Sequence, residues 1–403
     1  MLIKQTPIKN PMKPPPLPTE PKRVALVHYW LLGTRGGEKV LEALCRIFPN
    51  ADIFTLFYEP GSVSPLIRSK NVTVSSLNPL RRYYRGLLPL MPMALESFDL
   101  RGYDLVISSE SGPAKGVITP AATKHICYCH TPMRYLWELY PAYRAEFCRS
   151  AITRALIAPL SNYLRTWDYA SAARVDRFVA NSRNVQRRVW KTYRRKSRVV
   201  YPPVAVESFH HAPSEGYFLA VSEMVPYKRL DYVVRLFARN GRKLKIAGDG
   251  PGYRDLKRLA ARNIEFCGRV PDGELRELYA RSAAFIMPGE EDFGITMVES
   301  LASGKPVIAL GRGGAAEVVT DGCGVLYPEP SEAALDYALK IFDRSANLLD
   351  PAQLRFRAMA FSAMAFDRNF RAVLRRSSIL ASSEVLSAAA AYKPYAAHDV
   401  CTA

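Results

Sequence analysis

Glu291 and Glu299 have seven residues between them in the string EDFGITMVE, after an apolar run that Pro288-Gly289 brings to an end. A helix is predicted over Ile295 to Ala302 with Thr296 near its start, so Glu290, Glu291 and Asp292 precede it and Glu299 lies one turn inside. Met297, Val298 and Leu301 claim its apolar side, which predicts that neither Glu291 nor Glu299 sits there. The amides of Gly294, Ile295 and Thr296 form an anion site at the helix N-terminus, where a phosphate can be held while the flanking carboxylates accept hydrogen bonds from sugar hydroxyls. The plainer alternative is that the acids only complement the helix dipole, and spacing leaves both open. Lys228 and Arg229, in VSEMVPYKRLD, follow another strand and turn; they bring two cations to the mouth of the same sheet or, taken alone, a solvated pair. Gly248 to Gly252 and Gly311 to Gly314 are glycine turns where backbone can approach a ligand or admit phosphate.

The elements that must carry these residues alternate regularly. An apolar run from Val24, a loop with Gly33, Gly36 and Gly37, and a helix with Val40, Leu41, Leu44, Ile47 and Phe48 on one face open the series. Strands are predicted at Ile53 to Phe57, Leu105 to Ser108, Ile126 to Cys129 and Phe178 to Ala180, spaced by helix-length segments. After Tyr201-Pro202-Pro203 a second series runs through Tyr217 to Val221, Leu244 to Ala247, Ile264 to Cys267, Ala283 to Met287, Val307 to Leu310 and Val325 to Tyr327. Two doubly wound α/β domains follow, with ligands expected beyond the strands' carboxyl ends in the cleft between them. The expected organisation is a flexible proline-rich tail at 1–21, domains at 22–203 and 204–350, terminal helices at 351–380 able to cross back to the first domain, and a disordered tail at 381–403.

Length and 48% hydrophobic content suit about two or three globular domains and exclude a wholly disordered chain or a disulfide-stapled miniprotein. Seven scattered cysteines without a CxxC pair read as reduced thiols of a cytosolic protein, with Cys127 and Cys129 in a strand. No window approaches about 18 uninterrupted apolar residues, and the first twenty residues lack the apolar core of a secretory signal.

Together these segments resemble the retaining family-4 glycosyltransferases (glycosyl transferases group 1) of the GT-B fold, from about Arg23 to Leu374. The most specific match is the E-x7-E motif in EDFGITMVE, followed by SGKPVIAL and GRGGAAEVVTDGCG. The resemblance implies two Rossmann-like domains facing across a cleft, the first on the acceptor side and the second binding a nucleotide sugar. It implies Glu291, His130 and Lys228 as catalytic: Glu291 on the donor hydroxyls, Lys228 on the diphosphate, and His130, in CYCHTPMRY, near the reacting sugar. Gly36, Gly37, Arg229, Phe293, Gly294, Ile295, Thr296 and Glu299 are the implied substrate-binding residues, with Glu299 on the ribose. One departure is Glu223, where relatives commonly carry Arg; Arg229 is the nearest cation in sequence to compensate. No Asp-x-Asp pair is present to hold a metal on the diphosphate, so no cofactor or metal is expected.

The strings VALVHYWLLGTRGGEKVLEAL and CHTPMRYLWELY look most like bacterial enzymes that move mannose from GDP-mannose in O-antigen or exopolysaccharide assembly, with UDP-sugar donors open. Such enzymes act on lipid-linked acceptors, which implies a cytoplasmic protein peripheral to the inner face of the membrane. A net charge of +19 agrees with an anionic partner. Arg134 to Arg198 holds 15 basic and 4 acidic residues, and Arg81-Arg82-Tyr83-Tyr84-Arg85 leads into GLLPLMPMAL. A solvated surface is the plainer reading of both. No nucleic-acid-binding motif is visible, and a GT-B nucleotide-sugar epimerase would share the two sheets.

Overall fold

Strand and helix alternate through the chain to build two parallel sheets in a computed structural model that describes residues 23–141, 144 and 151–376. The tail expectations for 1–21 and 381–403 fall outside the described residues. In the first domain β1 (Val24–His28), β2 (Asp52–Thr55), β3 (Val72–Val74), β4 (Leu105–Glu110), β5 (Lys124–Cys129), β6 (Arg177–Ala180) and β7 (Ser197–Val199) take the order β3-β2-β1-β4-β5-β6-β7. In the second, β8 (Phe218–Val221), β9 (Leu244–Ala247), β10 (Ile264–Gly268), β11 (Ala284–Met287), β12 (Val307–Leu310) and β13 (Gly324–Tyr327) take the order β10-β9-β8-β11-β12-β13. The inner strands β1, β4, β5, β11 and β12 are continuously buried apart from Lys124 at one end, because helices cover both faces.

Each sheet reverses its strand order once, between β1 and β4 and between β8 and β11. At such a switch the loops leaving adjacent strands diverge and open a crevice at the carboxyl ends. Helix α1 (Gly36–Ile47) follows β1, and α2 (Ala151–Ser171) precedes β6. Helix α3 (Arg183–Tyr193) follows β6, α4 (Ile295–Ala302) follows β11, and the short α5 (Ala315–Val318) follows β12.

The chain passes between domains twice, side by side. Val204 donates its N–H to the Phe361 carbonyl at 2.9 Å, and Val204 forms a parallel bridge with Ser362. From there α6 (Ala363–Arg376) returns to the first domain, where Phe366, Phe370, Val373 and Leu374 join the core formed by Leu26, Ile107, Ile126 and Tyr128. Among the described residues no helix is long and apolar enough to cross a membrane.

Candidate active site

The two crevices face each other and are in contact. A Cβ on Gly36, the first residue of α1, would lie 2.8 Å from Ile295 Cδ1, the first residue of α4. Two helix N-termini thus face each other across the cleft, with the Ile295 side chain packed against Gly36. Gly37 is equally confined, since its Cβ would fall 2.6 Å from the Tyr29 hydroxyl. Gly294 precedes α4 at φ +91°, a conformation that glycine adopts without penalty, and this turns the chain from the acidic loop into the helix.

Lys228 and Glu291 meet directly, Nζ to Oε1, from the loops after β8 and β11. Burial opposes the ammonium charge, but Glu291 beside it carries the balance and holds the Lys228 pKa above its ordinary value. Glu299 contradicts the helix-face expectation: it is only 5% exposed. Its burial is possible because Tyr279 Oη donates to Oε2 at 3.1 Å and Lys39 Nζ, from α1 of the opposite domain, reaches Oε1 at 3.4 Å. Glu299 in turn raises the Lys39 pKa.

His130 follows β5. Its N–H donates to the Glu110 carbonyl at 2.6 Å and its Nε2 lies 2.9 Å from Ser109 Oγ. Burial pushes the imidazole down to about 3, so His130 is neutral at ordinary pH and offers hydrogen bonding without charge. Behind Gly37, buried His28 and Glu38 approach at 3.5 Å, and Glu38 also accepts the Arg35 N–H at 2.8 Å. That bond fixes the turn into α1.

The remaining expected residues divide. The Phe293 ring is buried against Tyr201 and Phe361, so only its backbone is available to a ligand. Ile295 and Thr296 are partly exposed at the start of α4. Arg229 bonds Asp231 at 3.3 Å and the Pro330 carbonyl at 3.4 Å, and the cation facing Glu223 is Arg35, from the other domain, at 3.9 Å. The glycine turns also have a packing role that the sequence reading did not include. Cβ atoms on Gly248 and Gly250 would strike the Ser222 and Met224 backbone, and those on Gly313 and Gly314 the Glu291 and Phe293 backbone. These glycines pack the site's loops against one another.

Residues not anticipated tie the acidic loop to the first domain. Arg188 pairs with Asp292 and, at 3.1 Å, with Glu290, while Arg134 reaches Asp292 at 3.4 Å. Burial raises the Asp292 pKa despite both guanidiniums. Ser182 Oγ donates to the Asp292 carbonyl at 2.7 Å. The signal for these partners lay in the acid triplet Glu290 to Asp292, which cannot be buried at a domain junction without cations.

The profile of Glycosyltransferase Family 4 matches residues 34–208, and that of Glycosyl transferases group 1 matches 205–349. The chain belongs to the GT-B glycosyltransferases of family 4/group 1. The D-rhamnosyltransferase WbpZ of Pseudomonas aeruginosa is 28% identical over 219 residues, 49% of this chain and 56% of that protein. A GDP-mannose-dependent monoacylated alpha-(1-6)-phosphatidylinositol monomannoside mannosyltransferase of Corynebacterium glutamicum is 33% identical over 26% of this chain and 32% of its own. The matches span about half or less of these relatives' lengths. The solved structure of Anabaena HepE has a TM-score of 0.63 at 15% identity, covering 88% of this chain and all of that one, and shows the same GT-B fold.

Proposed function

We propose that this chain transfers a hexose with retention of configuration from a nucleotide sugar, with mannose from GDP-mannose the leading candidate, to a lipid-linked saccharide in polysaccharide assembly. The observation that carries the reading is the Lys228–Glu291 pair beside two opposed helix N-termini. A donor diphosphate takes Lys228 from Glu291 and receives hydrogen bonds from the amides at Gly294 to Thr296. Glu291, released, accepts hydrogen bonds from the sugar hydroxyls, and Glu299, oriented by Tyr279 and Lys39, accepts from the ribose. Neutral His130 hydrogen-bonds the sugar near its reacting carbon. The bond from C1 to the phosphate oxygen breaks as the bond from C1 to the acceptor oxygen forms on the same face, and the acceptor's proton passes to the leaving phosphate. In this proposal the chain's own cations stabilise the leaving group without a metal. GDP-mannose-dependent activity in the Corynebacterium relative's name favours the donor. Exposed Leu80, Tyr83, Leu90 and Met93 beside Arg81, Arg82 and Arg85 support peripheral attachment of the cytoplasmic protein to an anionic membrane.

Nucleoside diphosphate release is to be measured with GDP-mannose, UDP-glucose and UDP-galactose, with and without a polyprenyl-linked acceptor and with EDTA. Acceptor-dependent release that survives EDTA and falls ~100- to 1,000-fold in Lys228→Ala is expected. Equal turnover in Lys228→Ala and the native protein would refute the site, and activity abolished by EDTA and restored by manganese would refute the metal-free chemistry.

A further inference from the structure

The positive charge that the cleft does not absorb collects at the far end of the first sheet. Within the basic stretch, Arg134 and Arg188 are engaged with Glu290 and Asp292, Arg174 with Glu96 at 2.8 Å, and Arg165 with the Leu136 carbonyl at 3.2 Å. Five others, Arg177, Arg194, Arg195, Lys196 and Arg198, join Lys124 around a cavity of about 600 Å³. Ile126, Phe178 and Val373 give it apolar wall. Its single lining acid, Asp176, already accepts the His125 N–H at 2.8 Å. Lys124 begins β5 and Cys129 ends it, so the cavity lies about 17 Å along the strand from the end that leads to His130.

Two features distinguish this cavity from a merely solvated basic surface. Arg195 is held in place by bonds to the carbonyls of Ala172 and Val175, with its guanidinium 5.7 Å from the Phe178 ring centre. Arg194 ends α3 in the left-handed backbone conformation, at φ 55°, where glycine is the low-energy choice; an arginine kept there adds a guanidinium to the cavity at the expense of local strain. Lys124, Arg194, Lys196 and Arg198 have no ion-pair partner among the described residues. Like charges gathered in a concave wall repel one another and focus their field outward, and a bound anion relieves the repulsion.

We propose that this cavity binds a phosphate-bearing ligand of two or more negative charges, at a site separate from the donor cleft. Guanidinium groups match phosphate oxygens two at a time, and the volume is ordinary for a small-ligand site. The phosphate can come from a soluble oligophosphate or from an anionic lipid head group.

Calorimetric titration of the full chain with inorganic pyrophosphate tests this, in a Lys228→Ala background so that the cleft ammonium does not contribute. Arg194→Ala combined with Arg198→Ala should weaken binding by about tenfold or more. Arg194→Gly removes the cation while relieving the backbone, so it should keep or raise the melting temperature and still bind pyrophosphate more weakly. Sedimentation with phosphatidylcholine vesicles, with and without phosphatidylglycerol, separates the sources. Loss of phosphatidylglycerol-dependent sedimentation in the double variant identifies a head group, and loss of pyrophosphate binding alone identifies a soluble ligand. Pyrophosphate and vesicle binding that are absent in the parent, or unchanged in both variants, would overturn the proposal.

Discussion

Glu223 stands on the loop after β8 that also carries Lys228, so its carboxylate faces a proposed diphosphate site with the wrong sign of charge. Arg35, at the start of α1, approaches it at 3.9 Å from across the cleft, and both side chains are substantially exposed. A pair this open contributes little to stability. Its consequence is for charge at the cleft mouth, where Arg35 supplies from the first domain the cation absent at position 223. Arg35→Glu should therefore raise the donor KM by about tenfold or more, because two carboxylates then face the phosphates. Glu223→Arg should change it within ~3-fold, and the double exchange should recover to within a few-fold of native at unchanged melting temperature. A double variant as poor as Arg35→Glu alone would mean that the two residues do not act together. None of this was legible in sequence, where Arg229 stood closer to Glu223; proximity along the chain says nothing about which domain faces a side chain. Glu299 teaches the same lesson, since the partners that make its burial tolerable, Tyr279 and Lys39, lie on other elements.

At the scale of elements, α3 shows how one domain completes the other. Its first three amides are all satisfied: Ser182 Oγ accepts from Val185 at 3.0 Å, while Glu317 of α5, in the second domain, accepts from Arg183 at 2.7 Å and Asn184 at 2.8 Å. Glu317→Ala should cost ~0.5–2 kcal/mol in urea unfolding, with a larger radius of gyration by small-angle scattering, and Glu317→Gln should keep part of both. A loss of stability without expansion would make Glu317 a local cap only. Beneath the same helix, buried Lys115 is shared by Glu110 at 3.2 Å and Asp168, which also accepts from Trp137 at 2.7 Å and Tyr193 at 2.9 Å. Burial pushes Glu110 up to about 7 against the pull of Lys115. Folded protein thus keeps a proton that unfolded chain releases near pH 4.5, and this group's contribution to stability falls as pH rises from there to about 7. Glu110→Gln should remove that fall, gaining on the native protein by on the order of 1–3 kcal/mol between pH 5 and 8. Parallel pH profiles of the unfolding midpoint would contradict it. The inner strands were readable because burial on both faces makes them apolar runs, whereas edge strands β3 and β7, three residues each and with no fully buried residue, carry no such signature.

For the whole molecule, the contacts that join the domains are mostly ionic: Lys39 with Glu299, Arg35 with Glu223, Arg134 and Arg188 with Asp292. Two members of the basic stretch, Arg134 and Arg188, are therefore turned toward the second domain, a distinction invisible to a count of charges. Polar junctions of this kind permit relative motion more readily than an apolar seam. The apolar attachment is made instead by α6, whose helical spacing was legible but whose destination was not, because nothing in its own residues says which core receives them. Phe370 is fully buried there, stacked on Phe366 with ring centres 5.6 Å apart and close to Tyr128 of β5. Phe370→Ala should cost ~3–5 kcal/mol. Although the residue follows the whole second domain in sequence, the loss should appear as faster amide hydrogen exchange in β1, β4 and β5, with β8, β11 and β12 little changed. Faster exchange confined to the second sheet would contradict the assignment of this helix to the first domain's core.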